Sequence, residues 1–498
     1  MPRLVTMSSR TAIMAAVLGA VAPPVHADWE LQEEHWYVVE IAGVRAGSMV
    51  STVETDADRV RTSSKISMTL GRGPTSTTIE ISGSFEETAD GRPLVIRSRQ
   101  VMGVQPVESE WRFLQDRVVH TSRQGDRELV RDTEGPDGEW LTPMAAHRNW
   151  IERVAAGDKK FSYFVVDGQT GLEPIEITHT YVEDGTYVLD GREIPVTVWE
   201  TSTSLLEISG IEHYTVDGDR VYEEMVLAGL GKMVTRLATK AEALRPILAA
   251  PEILITTFVE LSRPIDRVQS ATTATLRLRV TEGSMPGLPS AAAQRVTPDD
   301  DPTSVTLAID VNDNLPAQAA DLSDSSYMES SAMINAGDPL IAKLAARAVR
   351  RTGDDEQARA DALRTAVRDL LSDKGLDTAF ATASETARTR TGDCSEHAVL
   401  LCAMLRADEI PARVAVGLVY ADSFLGHEAI FGWHMWTQAL IDGRWVDLDA
   451  TLPGRYHAAH VLIAVSSLAE GGIDATLAST LMLLGNLQID VVDVGYDR

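Results

Sequence analysis

Two things are scarce in this 498-residue chain: cysteine, present only as Cys394 and Cys402, and positive charge, with 45 lysines and arginines against 73 acidic residues. Two cysteines exclude a disulfide framework. On a single helix, eight residues at about 1.5 Å each would hold them roughly 12 Å apart, beyond the reach of a disulfide. The charge deficit, a formal −28, sets the surface against phosphate backbones and anionic lipid, and no Lys/Arg cluster interrupts it. No nucleic acid is therefore expected as a partner, and the acidity reads as solubility. Long apolar runs are also missing. Past residue 27 nothing approaches 18 uncharged apolar positions, so no membrane span is expected in the mature chain.

Residues 1–27 follow the three-part pattern of a secretory signal: Arg3 and Arg10, an apolar run over 12–22, then Val25-His26-Ala27 before Asp28. The run is broken by Gly19 and closed by Pro23-Pro24, which suits it poorly to the roughly 30 Å of a hydrocarbon core. Cleavage after Ala27 and export of a soluble chain to the periplasm or beyond are expected. In an oxidising compartment a free thiol is a liability unless it is buried or used. The simplest division is Cys402 buried and Cys394 used.

The length calls for several domains, and an apolar fraction of 44% says that they are folded. Residues 28–240 read as an antiparallel β-rich domain. Alternating runs at 36–41, 186–189, 196–199 and 232–238 are punctuated by the turns Asp90-Gly91, Asp190-Gly191 and Asp217-Gly218. A helix-like stretch over 143–156 suggests two similar β halves meeting near residue 145. Residues 241–335 read as a small β module with connectors. Within it Asp310-Val-Asn-Asp-Asn314 matches one element of a cadherin calcium site, but as a single copy it is read as a strand-end turn. From Asp338 the spacing turns helical, and 336–498 is assigned to the catalytic domain, closing with a helix over 474–484 and an edge strand over 487–491.

The chemistry concentrates in Arg390-Thr-Gly-Asp-Cys394-Ser-Glu-His-Ala398. Gly392 ends one element and Cys394 opens a helix, whose unpaired N–H groups and positive dipole end favour a thiolate and can hold an oxyanion. Val399, Leu400, Cys402, Ala403 and Met404 make that helix a buried one. A strand over 413–420 follows, then a hairpin: His434 lies on one arm, Asp442-Gly443 forms the turn, and Asp449 ends the other arm. Counted from the turn, both fall near the same end of the ribbon, so His434 can donate to Asp449 and face Cys394 with its other nitrogen.

Gly392-Asp-Cys394, His434-Met-Trp436 and Asp449-Ala-Thr451 resemble the cysteine, histidine and aspartate motifs of the transglutaminase-like superfamily. The flanking Ile410-Pro-Ala-Arg413 and Val416-Gly-Leu-Val-Tyr420 look like its bacterial exported branch. The resemblance implies a papain-like α+β core behind the β-rich region and catalytic roles for Cys394, His434 and Asp449, with no cofactor and no metal. Met435 and Ala450 depart from the residues common after the histidine and the acid, and neither removes a reacting atom. Cys394, His397 and Cys402 do not have zinc-site spacing. His397 is read as a helix-fixing residue, and His427, His457 and His460 as alternative bases.

The expected activity is amide acyl transfer through a thioester, with a protein or peptide substrate, and hydrolysis ahead of crosslinking. The competing reading is a non-catalytic envelope adaptor that binds through its β-rich region.

Overall fold

The computed structural model describes residues 29–101, 106–124, 127–204, 209–227, 231–371, 375, 381–469, 480 and 483–496. The expected signal segment and most of the helix expected over 474–484 lie outside these residues. Among the described residues no helix is long and apolar enough to cross a membrane.

Between residues 30 and 238, fourteen strands form one antiparallel sheet. Two meanders, one on each side of helix Pro143–Ala155, join edge to edge where strand Glu30–Ile41 pairs with strand Gly231–Ala238, Val38 standing opposite Arg236. The two stretches flanking residue 145 are thus hydrogen-bonded into a single sheet. Turn chemistry drives the meander. Asp190 and Gly191 both adopt positive φ, 50° and 75°, as a two-residue hairpin in a right-twisted ribbon requires. Alternation gives the sheet two unlike faces. Phe85, Ile96 and Trp111 stand opposite one another across three strands and bury an apolar row, while the neighbouring positions Ser84, Arg97 and Glu110 form a polar one.

The alternating run at the end of the chain, expected as an edge strand closing 336–498, forms strand Leu487–Tyr496 at the edge of a sheet whose other strands lie within residues 271–310. It pairs with Ala271–Val280 in a four-stranded sheet with Ser304–Asp310 and Gln294–Pro298. The reason is burial: Leu487 and Ile489 sit opposite Val280 and Leu278 and share a core with Leu276 and Leu307. Asp310 closes its strand by accepting from Asn312 N at 2.9 Å, a local turn.

A five-stranded sheet carries the candidate chemistry: Val259–Glu260, His427–Ile441, Ala412–Phe424 and His460–Ser466 in order, with Arg444–Leu448 paired to His427–Ile441. Helix Cys394–Ala407 packs on one face, where Val414, Met435 and Ala439 join its fully buried Val399, Leu400 and Ala403. The four-stranded sheet packs on the other, against Leu418, Phe431 and Val461. Gly417 lies where the pairing with strand His460–Ser466 shifts register, and a Cβ there would come 1.8 Å from Val461 O. The backbones meet too closely for a side chain. Gly417→Ala should cost about 1–3 kcal/mol, read as a lower urea midpoint; an unchanged midpoint would show that these strands can part without penalty.

Candidate active site

Gly392 has φ 148°, and a Cβ on it would lie 2.4 Å from Glu396 Cβ, so only glycine fits immediately before the helix. Asp393 is the N-cap. Its Oδ1 accepts from Ser395 N at 2.9 Å, and Glu396 Oε2 accepts in return from Asp393 N at 2.9 Å, a reciprocal capping box. Glu396 Oε1 also accepts from Ala381 N at 2.8 Å. Burial, reinforced by the Asp393 charge, pushes the Glu396 carboxyl up to about 8. Its contribution to stability is therefore full below about 4.5 and lost as pH rises through 8. Asp393 behaves oppositely. Burial would raise it, but the guanidinium of Arg72 and the hydrogen bonds from Glu396 and Ser395 hold it below the usual carboxylate range.

Cys394 is therefore the first residue of a fourteen-residue helix whose start is fixed on both sides. It is half-buried, whereas Cys402, two turns along, is fully buried, and burial pushes its thiol up. His397 secures the first turn, its Nδ1 donating to Asp393 O at 2.6 Å.

The hairpin supplies the other two residues. Asp442 and Gly443 turn with φ 49° and 70°, and the ladder runs back from Ile441↔Arg444 to Thr437↔Leu448. His434 and Asp449 sit just past its end, with His434 Nε2 donating to Asp449 Oδ2 at 2.8 Å. Asp449 is wholly buried, and its Oδ1 accepts from Thr451 N at 2.7 Å. Cys394, at the helix start, is close enough to be among the groups that raise His434. Burial alone would push His434 down. The charge and hydrogen bond of Asp449, with the Cys394 contact, outweigh it and raise His434 to about 10. Asp449 is held well below its ordinary value against the same burial.

The structure thus brings together the three residues singled out from the sequence, and it adds others. His460, considered above as an alternative base, places Nε2 3.2 Å from Asp449 Oδ2 and Nδ1 2.9 Å from His457 O. Both of its nitrogens are thereby engaged, and the Tyr456 ring stacks on it at 4.2 Å. Among the described residues, His434, Asp449 and His460 bring ligand-type atoms within 4.8 Å of one another, a closeness these hydrogen bonds account for. His457 is buried and pushed down to about 3, while His427 lies beside Glu260, Nδ1 to Oε1 3.1 Å. Arg364 spans the loop after the acid, donating to Asp449 O at 3.2 Å and Gly454 O at 3.1 Å. Nothing in the local sequence marks Arg364 or Arg72. Each is an arginine in an ordinary helix or strand pattern, and only chain packing reveals its partner.

Residues 343–450 match the family model of the transglutaminase-like superfamily. This segment is a transglutaminase-like domain. The match takes in helix Cys394–Ala407 and the hairpin carrying His434 and Asp449, and stops before His460. No curated protein sequence matches the chain. Solved structures similar to it include a presumed cysteine protease from Cytophaga hutchinsonii, at 16% identity and TM-score 0.27, covering 46% of this chain and 86% of that one. The periplasmic domain of TgpA from Pseudomonas aeruginosa is 14% identical with TM-score 0.26, covering 39% and 86%. A presumed protease from Parabacteroides distasonis is 12% identical with TM-score 0.20, covering 75% and 67%. Likenesses this distant do not bear on the reaction, and the transglutaminase-like assignment rests on the family model.

Proposed function

We propose that the chain is an exported thiol enzyme acting on amide bonds, with Cys394 as nucleophile, His434 as general acid and base, and Asp449 as the group that orients and charges the imidazole. One observation carries the reading: His434 donates from Nε2 to the wholly buried Asp449, and the half-buried Cys394 at a helix start is among the groups that raise the same imidazole. In the forward step the sulfur bonds to the carbonyl carbon, and the carbonyl π pair moves to oxygen beside the helix-start N–H groups. The C–N bond then breaks as the His434 imidazolium gives its proton to the departing amine, leaving a thioester. Water, activated by the now neutral His434, releases the acid; a primary amine in its place would give a crosslink. We favour hydrolysis, the default fate of a thioester in water. Export is supported by the signal-like pattern of residues 1–27.

Incubating the chain with peptide libraries and a labelled primary amine, read by mass spectrometry, separates the outcomes. Cleaved peptides support hydrolysis and amine adducts support transfer. If wild type yields neither while binding envelope proteins, the adaptor reading replaces this one.

The histidine also sets a pH dependence. Its folded value is raised, so the stability it contributes is full below about 6.5, the unperturbed histidine value, and disappears as pH climbs through about 10. The imidazolium needed to protonate the leaving amine persists over the same range. The alkaline limb of kcat/KM should accordingly fall near pH 10; a limb centred near 7 would show that Asp449 does not hold the proton on His434.

A further inference from the structure

A side chain of the N-terminal sheet reaches the helix start that bears the candidate nucleophile. Strand Arg59–Arg72 ends in a hairpin tip, and there Arg72 Nη2 lies 2.5 Å from Asp393 Oδ2, across 321 residues of sequence. The pair is largely closed to water, with side chains 18% and 7% exposed. The tip is fastened independently. Gly71 N donates to Pro251 O at 2.8 Å, Gly73 N donates to Glu252 Oε2 at 2.8 Å, and Leu425, in the turn between strands Ala412–Phe424 and His427–Ile441, lies against Gly73. Arg72 is therefore presented to the helix start by a held loop.

Asp393 carries two tasks on two oxygens. Oδ1 caps the helix through Ser395 N and Ser395 Oγ, while Oδ2 meets the guanidinium. A carboxylate is an effective cap, but it also puts a nearly buried anion one residue before a sulfur that must become anionic. Glu396, pushed up to about 8, is largely neutral at pH 7 and adds little further negative charge. Left bare, Asp393 would oppose the thiolate electrostatically or take up a proton and loosen the cap.

We propose that Arg72 is a positioning residue for the nucleophile: by neutralising Asp393 it lets the cap remain a carboxylate without opposing a thiolate at Cys394. The β-rich region is then part of the thiol site. This inference rests on the thiol chemistry proposed for Cys394.

The test is alkylation of Cys394 by iodoacetamide at neutral pH in the full chain, followed by mass spectrometry, with Cys402 as the internal control and melting curves recorded alongside. Arg72→Ala should slow labelling about tenfold, because the bare Asp393 charge then opposes a thiolate one residue away. Arg72→Gln keeps much of the side-chain length; it should slow labelling similarly and stands in if the alanine variant does not fold. Arg72→Lys should recover part of the rate. The decisive arm is Asp393→Asn, since asparagine caps as well as aspartate. In that background Arg72→Ala should change the rate less than about twofold, because no anion remains to neutralise. A purely structural arginine would cost as much in either background. Wild-type labelling in the Arg72 variants, or an equal loss with and without the Asp393 charge, overturns the proposal while the thiol reading stands. If wild-type Cys394 reacts no faster than in the urea-unfolded chain, the thiol reading itself fails.

Discussion

Cys394→Ala should abolish amide turnover, by at least about 10⁴-fold, because the other thiol of the chain, Cys402, is fully buried. The loss should come without unfolding. Alanine is the best helix former, it stands at the first position of the helix, and the half-buried sulfur leaves behind a small space that opens toward solvent. The melting midpoint should therefore stay close to wild type. Cys402→Ala is the mirror image. Its sulfur is fully buried in the helix core, so its removal should cost roughly 1–2 kcal/mol while leaving turnover intact. Activity retained in the alanine variant at 394 and lost in that at 402 would invert the assignment.

Asp449→Asn is expected to damage both activity and stability. Oδ2 accepts from His434 and Oδ1 from Thr451 N, so an amide N–H in place of either oxygen would set donor against donor. With the carboxylate gone, the imidazolium loses what raises it to about 10, and kcat should fall about 10³- to 10⁴-fold. Stability should fall by about 3–5 kcal/mol, the size seen when one member of a buried charge pair is deleted. The pH dependence gives an independent check. The folded value of Asp449 is depressed, so the stability it contributes is present above the ordinary carboxylate value and lost as pH falls through the depressed one. The gap between wild type and Asp449→Asn in urea should therefore narrow as the solution is acidified. A gap that widens in acid would mean that Asp449 is protonated in the folded chain.

How much of this was open to the sequence depends on how local each interaction is. The start of helix Cys394–Ala407 could be read because Gly392 and the apolar run that mark it are close together in the chain, while the structure added the box of Asp393 and Glu396. The hairpin was equally open, since Asp442-Gly443 sets a two-residue turn and counting from it brings His434 and Asp449 near the same end of the ribbon. The closing strand Leu487–Tyr496 was recognisable as a strand, but not its sheet. Period-two alternation says that one face is buried and leaves open which core buries it. His460 shows the same limit in the site. Its place opposite Val419 on the strand beside the hairpin carries it to Asp449, and nothing in its neighbours announces that contact.

The sequence by itself determined the thiol, imidazole and carboxylate motifs, the elements that bear them and the acidic character of the whole, because each follows from residues close together in the chain. Tertiary structure alone decided that His460 shares the acid, that Arg364 braces its loop and that Arg72, from a distant hairpin, meets the cap before the thiol. The reason is physical: charge pairs and shared hydrogen bonds form through space at about 3 Å, and residues hundreds of positions apart reach that distance only after the sheets have packed.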